Sequence, residues 1–358
     1  MKPNRTNERR TGKRKSIRTK SQTTQVSAVD HAVVLIDTVC VIAGSEDLIA
    51  APNDRSSARL RSAITRHDTA LLFDRLIEAF SFQGISDQVA LTYMNQHGRV
   101  RWHDIERTLA GSFGCTKLQS YWAFHSCGYE KGRRTCAEPD HIGLCHLPRF
   151  DLRNGRLNQT AYSLHLFIRD VADGDLVAWI DRQLRRASKG ADRSRLSRLR
   201  ESLIGPLRNV YGVSDKVLAM SLSDVLLAAP PTKRLWFDTG VSMIAIDTLV
   251  HNFLHRTGIL RRFDAQHAYG PSCYQPDGCA DVITQLAARI DARQTNSKYP
   301  ATFPRFVQHA IWRFCAQQEF DICNGNRIHD QRRCGNKGCP LFHLCDRVTL
   351  QNPKAAHR

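Results

Sequence analysis

Four thiols near the carboxyl end carry the plainest chemical signal in this chain. Cys323, Cys334, Cys339 and Cys345, spaced x10, x4 and x5, follow the last helical segment in a stretch with Gly and Asn and few apolar residues. Such a loop cannot bury a core of its own and needs a staple. Four thiolates converging on one centre supply it, as tetrahedral zinc or as a [4Fe–4S] cluster, and residue type alone does not separate the two. Cys315, two turns before Cys323, is expected to face the core. A second set, Cys115, Cys127, Cys136 and Cys145, with His125, His141 and His146 nearby, has the ligand count for another metal site. The alternative is a loop whose cysteines are small core residues. Cys273 and Cys279, flanked by Pro271 and Pro276, are too few to read by themselves.

Two charged side chains add a different chemistry. Lys216 follows Tyr211-Gly212-Val213-Ser214-Asp215 at the start of a helical pattern. Gly212 permits a tight turn, and the free N–H groups of the next helix can then receive a phosphate. An amine in a first turn feels the positive end of the helix dipole, which favours its neutral, nucleophilic form. Asp247 closes the apolar run Ile244-Ala245-Ile246 and opens another helix. A carboxylate there is an N-cap, and capping is compatible with catalysis if the helix end faces a cleft.

The elements that must position these groups read as helices. Leu71, Leu72, Leu76, Ile77 and Phe80 recur at three- and four-residue intervals, as do Leu164, Leu166, Phe167 and Val171, and Val217, Met220, Leu222 and Val225. Further helices are expected at Ser56–Arg66, Ser86–Gln96, Asp175–Arg186, Ser194–Leu203, Asp247–Thr257, Cys279–Arg293 and Phe303–Gln318. No run alternates for long enough to be a strand. Cys115–Pro148 and Tyr269–Gly278 read as insertions between helices. In the first of these, Tyr121, Trp122, Phe124 and Tyr129 either stack on bases or pack the insert down.

Composition sets the class. The 358 residues carry 52 Lys+Arg against 34 Asp+Glu, a formal charge of +18, and 42% are hydrophobic. That is enough material for a core, and wholesale disorder is excluded. The excess charge makes a polyanion the first partner to consider. The most apolar run, Ala28 to Gly44, contains Asp30, His31 and Asp37 and is too short to span a bilayer. Met1 to Lys20 is basic throughout and does not read as a secretion signal. Residues 1–27 are expected to form a disordered basic tail that touches phosphates without reading sequence. The thiols therefore belong in a reducing compartment, cytoplasm or nucleoid, or nucleus if the cell is eukaryotic.

In this order, the motifs resemble the helix-hairpin-helix DNA glycosylases of the endonuclease III type. Gly212-Val213-Ser214-Asp215-Lys216 is similar to that family's hairpin with its catalytic lysine. Ile246-Asp247-Thr248, with His255-Arg256-Thr257-Gly258, is similar to its catalytic-aspartate motif. Phe82-Gln83-Gly84-Ile85-Ser86-Asp87 resembles its Gln-containing turn, and the terminal thiols fall where many members hold a [4Fe–4S] cluster. The departures are Ser214 for the hairpin's second Gly, Leu249 for a His, the cluster spacing, a longer Lys216-to-Asp247 gap and both inserts.

The resemblance implies an all-α protein with two helical domains flanking a DNA-binding cleft. Residues 70–240 would form a helical barrel domain carrying the hairpin and the 115–148 insert. Residues 28–69 plus 241–346 would form the metal-cluster domain, with 347–358 as a tail. It also implies a monomeric enzyme on double-stranded DNA, with no membrane partner. Lys216 and Asp247 would be catalytic, Gln83 would fill the space left by a flipped base, and Gly212, Val213 and Ser214 would grip the backbone. The basic stretch Arg193, Arg195, Arg198, Arg200 and Arg208 would attract phosphates without reading sequence. The activity implied is a DNA glycosylase with AP-lyase action. The alternative is a non-catalytic nucleic-acid binder on the same scaffold, with a structural Fe–S or zinc site.

Overall fold

In the computed structural model the described residues are 16–49, 54–85, 87–111, 114–190 and 195–350. In chain order the α-helices are α1 (Ser16–Ala43), α2 (Arg55–Thr65), α3 (Thr69–Phe80), α4 (Asp87–His97), α5 (Trp102–Ala110), α6 (Tyr121–Phe124), α7 (Asn158–Asp170) and α8 (Leu176–Ala187). They continue as α9 (Arg195–Leu207), α10 (Asp215–Leu227), α11 (Arg234–Ser242), α12 (Thr248–Arg256), α13 (Ile259–Arg262), α14 (Cys279–Ala287) and α15 (Pro304–Cys315). The protein is mostly helical. Strand appears in one place among the described residues, an antiparallel ribbon of β1 (Tyr129–Glu130) and β2 (Thr135–Cys136) inside the first insert. Strands of two residues are too short for alternation to show in the sequence.

Residues 1–15 of the expected tail, Ser86, Arg193, Ser194 and 351–358 lie outside the described residues. The backbone from 16 to 27 is helical and forms the first part of α1. Extending an existing helix needs no new nucleus. The helix predicted over Cys279–Arg293 ends at Ala287, with a short 3₁₀ turn at Ala292–Gln294. No described helix is long and apolar enough to cross a membrane.

The chain divides into two compact units. The larger contains 46–245 and 303–306; the smaller contains 1–45, 246–302 and 307–358. The division places 46–69 in the larger unit, whereas the sequence grouped this segment with the metal-cluster domain. Amphipathic helices with side-chain caps build the larger unit. Asp68 accepts from the Leu71 N–H at 3.0 Å and Asp175 from the Ala178 N–H at 2.9 Å. Each cap starts a helix whose apolar stripe is buried: Leu72, Phe73, Leu76, Ile77 and Phe80 on α3, and Leu176, Val177, Trp179, Ile180 and Leu184 on α8.

Helix α7 is buried on every side from Asn158 to Ile168. Asn158 satisfies its buried amide fully: Nδ2 donates to the Leu147 and Phe150 carbonyls, and Oδ1 accepts from the Leu152 N–H. His165, on the same helix, stacks on Trp102 at 4.1 Å with both ring nitrogens unpartnered among the described residues. Burial, aided by the Arg169 charge, pulls its pKa from 6.5 down to about 4. The unfolded chain takes up this proton as pH falls below 6.5, whereas the fold resists until about 4. Stability from this group is therefore fully present above 6.5 and drains between 6.5 and 4, by about 3 kcal/mol in all. Denaturant titrations of His165→Leu should show a shallower loss over that window than the wild type.

Candidate functional site

The hairpin lies in the larger unit. Helices α9 and α10 are joined by residues 208–214, with Gly212 at φ +72°. That φ is one L side chains rarely adopt, so the turn favours glycine, and a Cβ there would also press on the ends of Lys131 and Thr160, at 3.0 and 3.3 Å. The Tyr211 N–H donates to Ser163 Oγ on α7, and the Tyr211 hydroxyl donates to the His125 carbonyl at 2.6 Å. Central helix and insert thus hold the turn from two sides.

Ser214 is the N-cap of α10 but makes no side-chain cap bond, and Lys216 is half-buried in the first turn. No described residue pairs with the Lys216 amine. The neighbouring Asp215 carboxylate is neutralised instead by Arg208, whose fork also reaches Glu201 on α9. Those two acids hold the Arg208 guanidinium firmly protonated.

Gln83 sits in the turn after α3. Its Nε2 donates to the Gly212 carbonyl, and Arg153 donates to the Gln83 carbonyl. Two motifs 129 positions apart in sequence are thus joined by a direct hydrogen bond. The basic stretch read as phosphate-binding is partly tied up internally. Arg198 donates to the Lys189 carbonyl, Arg200 to the Ser242 carbonyl, and Arg195 approaches Asp238 at 3.9 Å.

Asp247 belongs to the smaller unit and is half-buried. It caps α12 with extended backbone, Oδ1 accepting from the Val250 N–H at 2.9 Å. Its charge also bears on Tyr269, whose hydroxyl pKa is raised, first by burial and then by Asp247.

All four C-terminal thiols line one cavity in the smaller unit, walled by Phe253, Phe314, Ile328 and Leu341. The Arg347 N–H donates to Cys345 Sγ at 3.3 Å, and the Leu341 N–H bonds Cys339. The buried Arg256 pairs with Asp330 and donates to Cys323. Cys315, fully buried as expected, hydrogen-bonds Cys323 and, ahead of Arg256, pulls that thiol down to about 7. Burial pushes Cys345 up to about 11. The loop is anchored outside the cavity too. The Val348 N–H bonds the Arg256 carbonyl, and Arg261 and Arg262 both reach Asp346. Asp346 packs so closely on Gly258, at φ +80°, that any Cβ there would meet its carboxylate at 1.9 Å.

The insert thiols also gather. Cys115 and Cys136 are buried and Cys127 and Cys145 half-buried. Burial pushes Cys127 up to about 11, and the other three lie close enough for their charges to add to that. The Tyr129 N–H bonds Cys127 and the Leu147 N–H bonds Cys145, the same two-residue step seen at Cys339 and Cys345. Of the four insert aromatics, Tyr121, Phe124 and Tyr129 are packed inside and Trp122 is exposed.

Among the described residues, the tightest donor set is one that sequence reading missed. His251, His267, Cys273 and Cys279 bring one ligand atom each within 4.8 Å of one another, a group able to hold a metal ion. The spacing His267-x5-Cys273-x5-Cys279 was the available signal, but its partner His251 lies on a helix far upstream. The mutual hydrogen bond of the two thiols draws Cys273 down to about 4 and holds Cys279 above its ordinary value.

Compared with protein-family models, curated proteins and solved structures, the chain matches none.

Proposed function

We propose that this chain is a DNA repair glycosylase with AP-lyase activity that acts on double-stranded DNA as a monomer. Motif order and local geometry support the reading; no overall likeness does. The observation that carries it is the bond from Gln83 to Gly212, beside a Lys216 that pairs with no described residue, in the first turn of a helix without a side-chain cap. The resemblance asks for that juxtaposition of base-replacing turn, hairpin and nucleophile.

In this reading the flipped nucleotide presents C1′ to Lys216. Nζ forms the C1′–N bond as the glycosidic bond breaks, and the base leaves with its electron pair. The departing base takes up the proton lost by the amine, and by the resemblance Asp247 would stabilise the cationic sugar. Ring opening gives a Schiff base, and loss of a C2′ proton expels the 3′ phosphate.

The C-terminal thiols fit a [4Fe–4S] cluster better than zinc. A single zinc ion draws thiolates to roughly 3.8 Å apart, whereas a cubane keeps them several ångströms further. Among the described residues the donor set compact enough for one ion is the His251 group, while the terminal thiols surround a cavity. A cluster supplies net negative charge there, which the buried Arg256 offsets. The insert thiols are proposed as a second metal site on the strength of their shared N–H···S pattern.

Borohydride trapping on an abasic duplex tests the activity. A covalent adduct is expected from the wild type and none from Lys216→Gln. No wild-type adduct, or an undiminished one from the variant, sinks the enzyme. Binding that persists without base release across a panel of lesions would instead mark a non-catalytic binder.

A further inference from the structure

We infer that His251, His267, Cys273 and Cys279 hold a zinc ion that clips the 264–278 loop onto the start of α12 and so positions Asp247. The donor distances match one ion. His251 Nδ1 lies 3.3 Å from Cys279 Sγ and 3.6 Å from Cys273 Sγ, and His267 Nε2 lies 3.3 Å from Cys279 Sγ. A tetrahedral ion with Zn–S near 2.3 Å and Zn–N near 2.05 Å places nitrogen and sulfur about 3.5 Å apart. Two thiolates and two imidazoles are a borderline-soft set that suits zinc better than calcium or magnesium.

A second observation points the same way. His267 Nδ1 lies 2.7 Å from the Ala265 carbonyl. A carbonyl only accepts, so Nδ1 carries the proton, and the lone pair of Nε2 is aimed at the thiols. A backbone carbonyl behind an imidazole is the usual support for a metal-ligating histidine. The remaining donors are enclosed: Cys273 and Cys279 are fully buried and His251 nearly so.

The ligands come from three places. His251 is on α12, four residues after Asp247; His267 and Cys273 are in the loop; Cys279 is the first residue of α14. Gly278 lets the loop close, since a Cβ there would fall 2.3 Å from the Ser272 carbonyl. Next to Cys273, the Tyr274 hydroxyl accepts from the Ile246 N–H at 2.9 Å. The clip therefore fixes the backbone immediately before Asp247, which makes Tyr274 a positioning residue. The Tyr269 ring lies 5.7 Å from that of His251 on the same loop.

Zinc binding stands apart from the glycosylase reading; only the consequence for Asp247 rests on it. Zinc-edge X-ray absorption of the full-length protein should show nitrogen neighbours near about 2.0 Å beside sulfur near about 2.3 Å, and Cys279→Ala should lose the nitrogen shell. Cys279→Ala should lose about one zinc per chain, keep its iron and gain protease cleavage within 264–278. Tyr274→Phe should keep the zinc and excise bases at least several-fold more slowly. An all-sulfur zinc shell, or zinc content unchanged in Cys279→Ala, overturns the site. Full excision by Tyr274→Phe overturns the positioning role. Absence of any excision by the wild type, with zinc present, counts against the glycosylase alone.

Discussion

Asp247→Asn is expected to slow base excision by about 10²–10⁴-fold while leaving the thermal midpoint where it is in the wild type. Both halves follow from the cap geometry. The side-chain oxygen that accepts from the Val250 N–H is present in asparagine as well, and Asn and Asp cap helices about equally. What Asn lacks is the charge that would stabilise a cationic sugar and take up a proton. Asp247→Ala removes both, and should lose about 1 kcal/mol of stability on top of the rate. The pair of variants separates capping from catalysis, because a merely structural carboxylate would respond to Ala and ignore Asn. Single-turnover excision alongside thermal melts reads both quantities. Unchanged excision by Asp247→Asn would reduce this residue to a cap.

Legibility in the sequence followed sequence distance. Helices α2, α3, α4, α8, α9, α10 and α12 could be placed to within a few residues, because three- and four-residue spacing is a local property, whereas α5 and α11 were not read from the sequence. The C-terminal thiols were visible because they fall within one short loop. The Gln83–Gly212 bond could be anticipated only by resemblance, since nothing in either segment names the other. The His251 group was missed for a similar reason: three of its donors are evenly spaced through a loop and a helix start, but the fourth sits on a separate helix before them. Charge is less legible than spacing. Arg195, Arg198, Arg200 and Arg208 read as a basic face open to phosphates, yet each meets an acid or carbonyl of its own unit. Net charge counts arginines without showing which are already engaged.

Cys345→Ala should cost far more than truncating an ordinary buried thiol, and the reason lies in how little else holds its loop. From 323 to 350 the deeply buried residues are Leu341 and Asn324, too little apolar area to offset the entropy of ordering the segment. Structural metal centres contribute on the order of 10 kcal/mol to the folding of such loops. On the cluster reading, losing one ligand would also leave the buried Arg256 facing Asp330 without the charge a cluster would supply. The expected result is a colourless, iron-free protein whose 323–350 segment is cut rapidly by protease. Cys40→Ala provides the contrast. That thiol is buried on α1, outside all three donor sets, so its removal should cost about 1 kcal/mol and leave iron and protease resistance intact. If both variants behaved alike, the four thiols would be core residues that happen to share a cavity, and the loop would have to draw its order from the Asp346 and Val348 anchors alone.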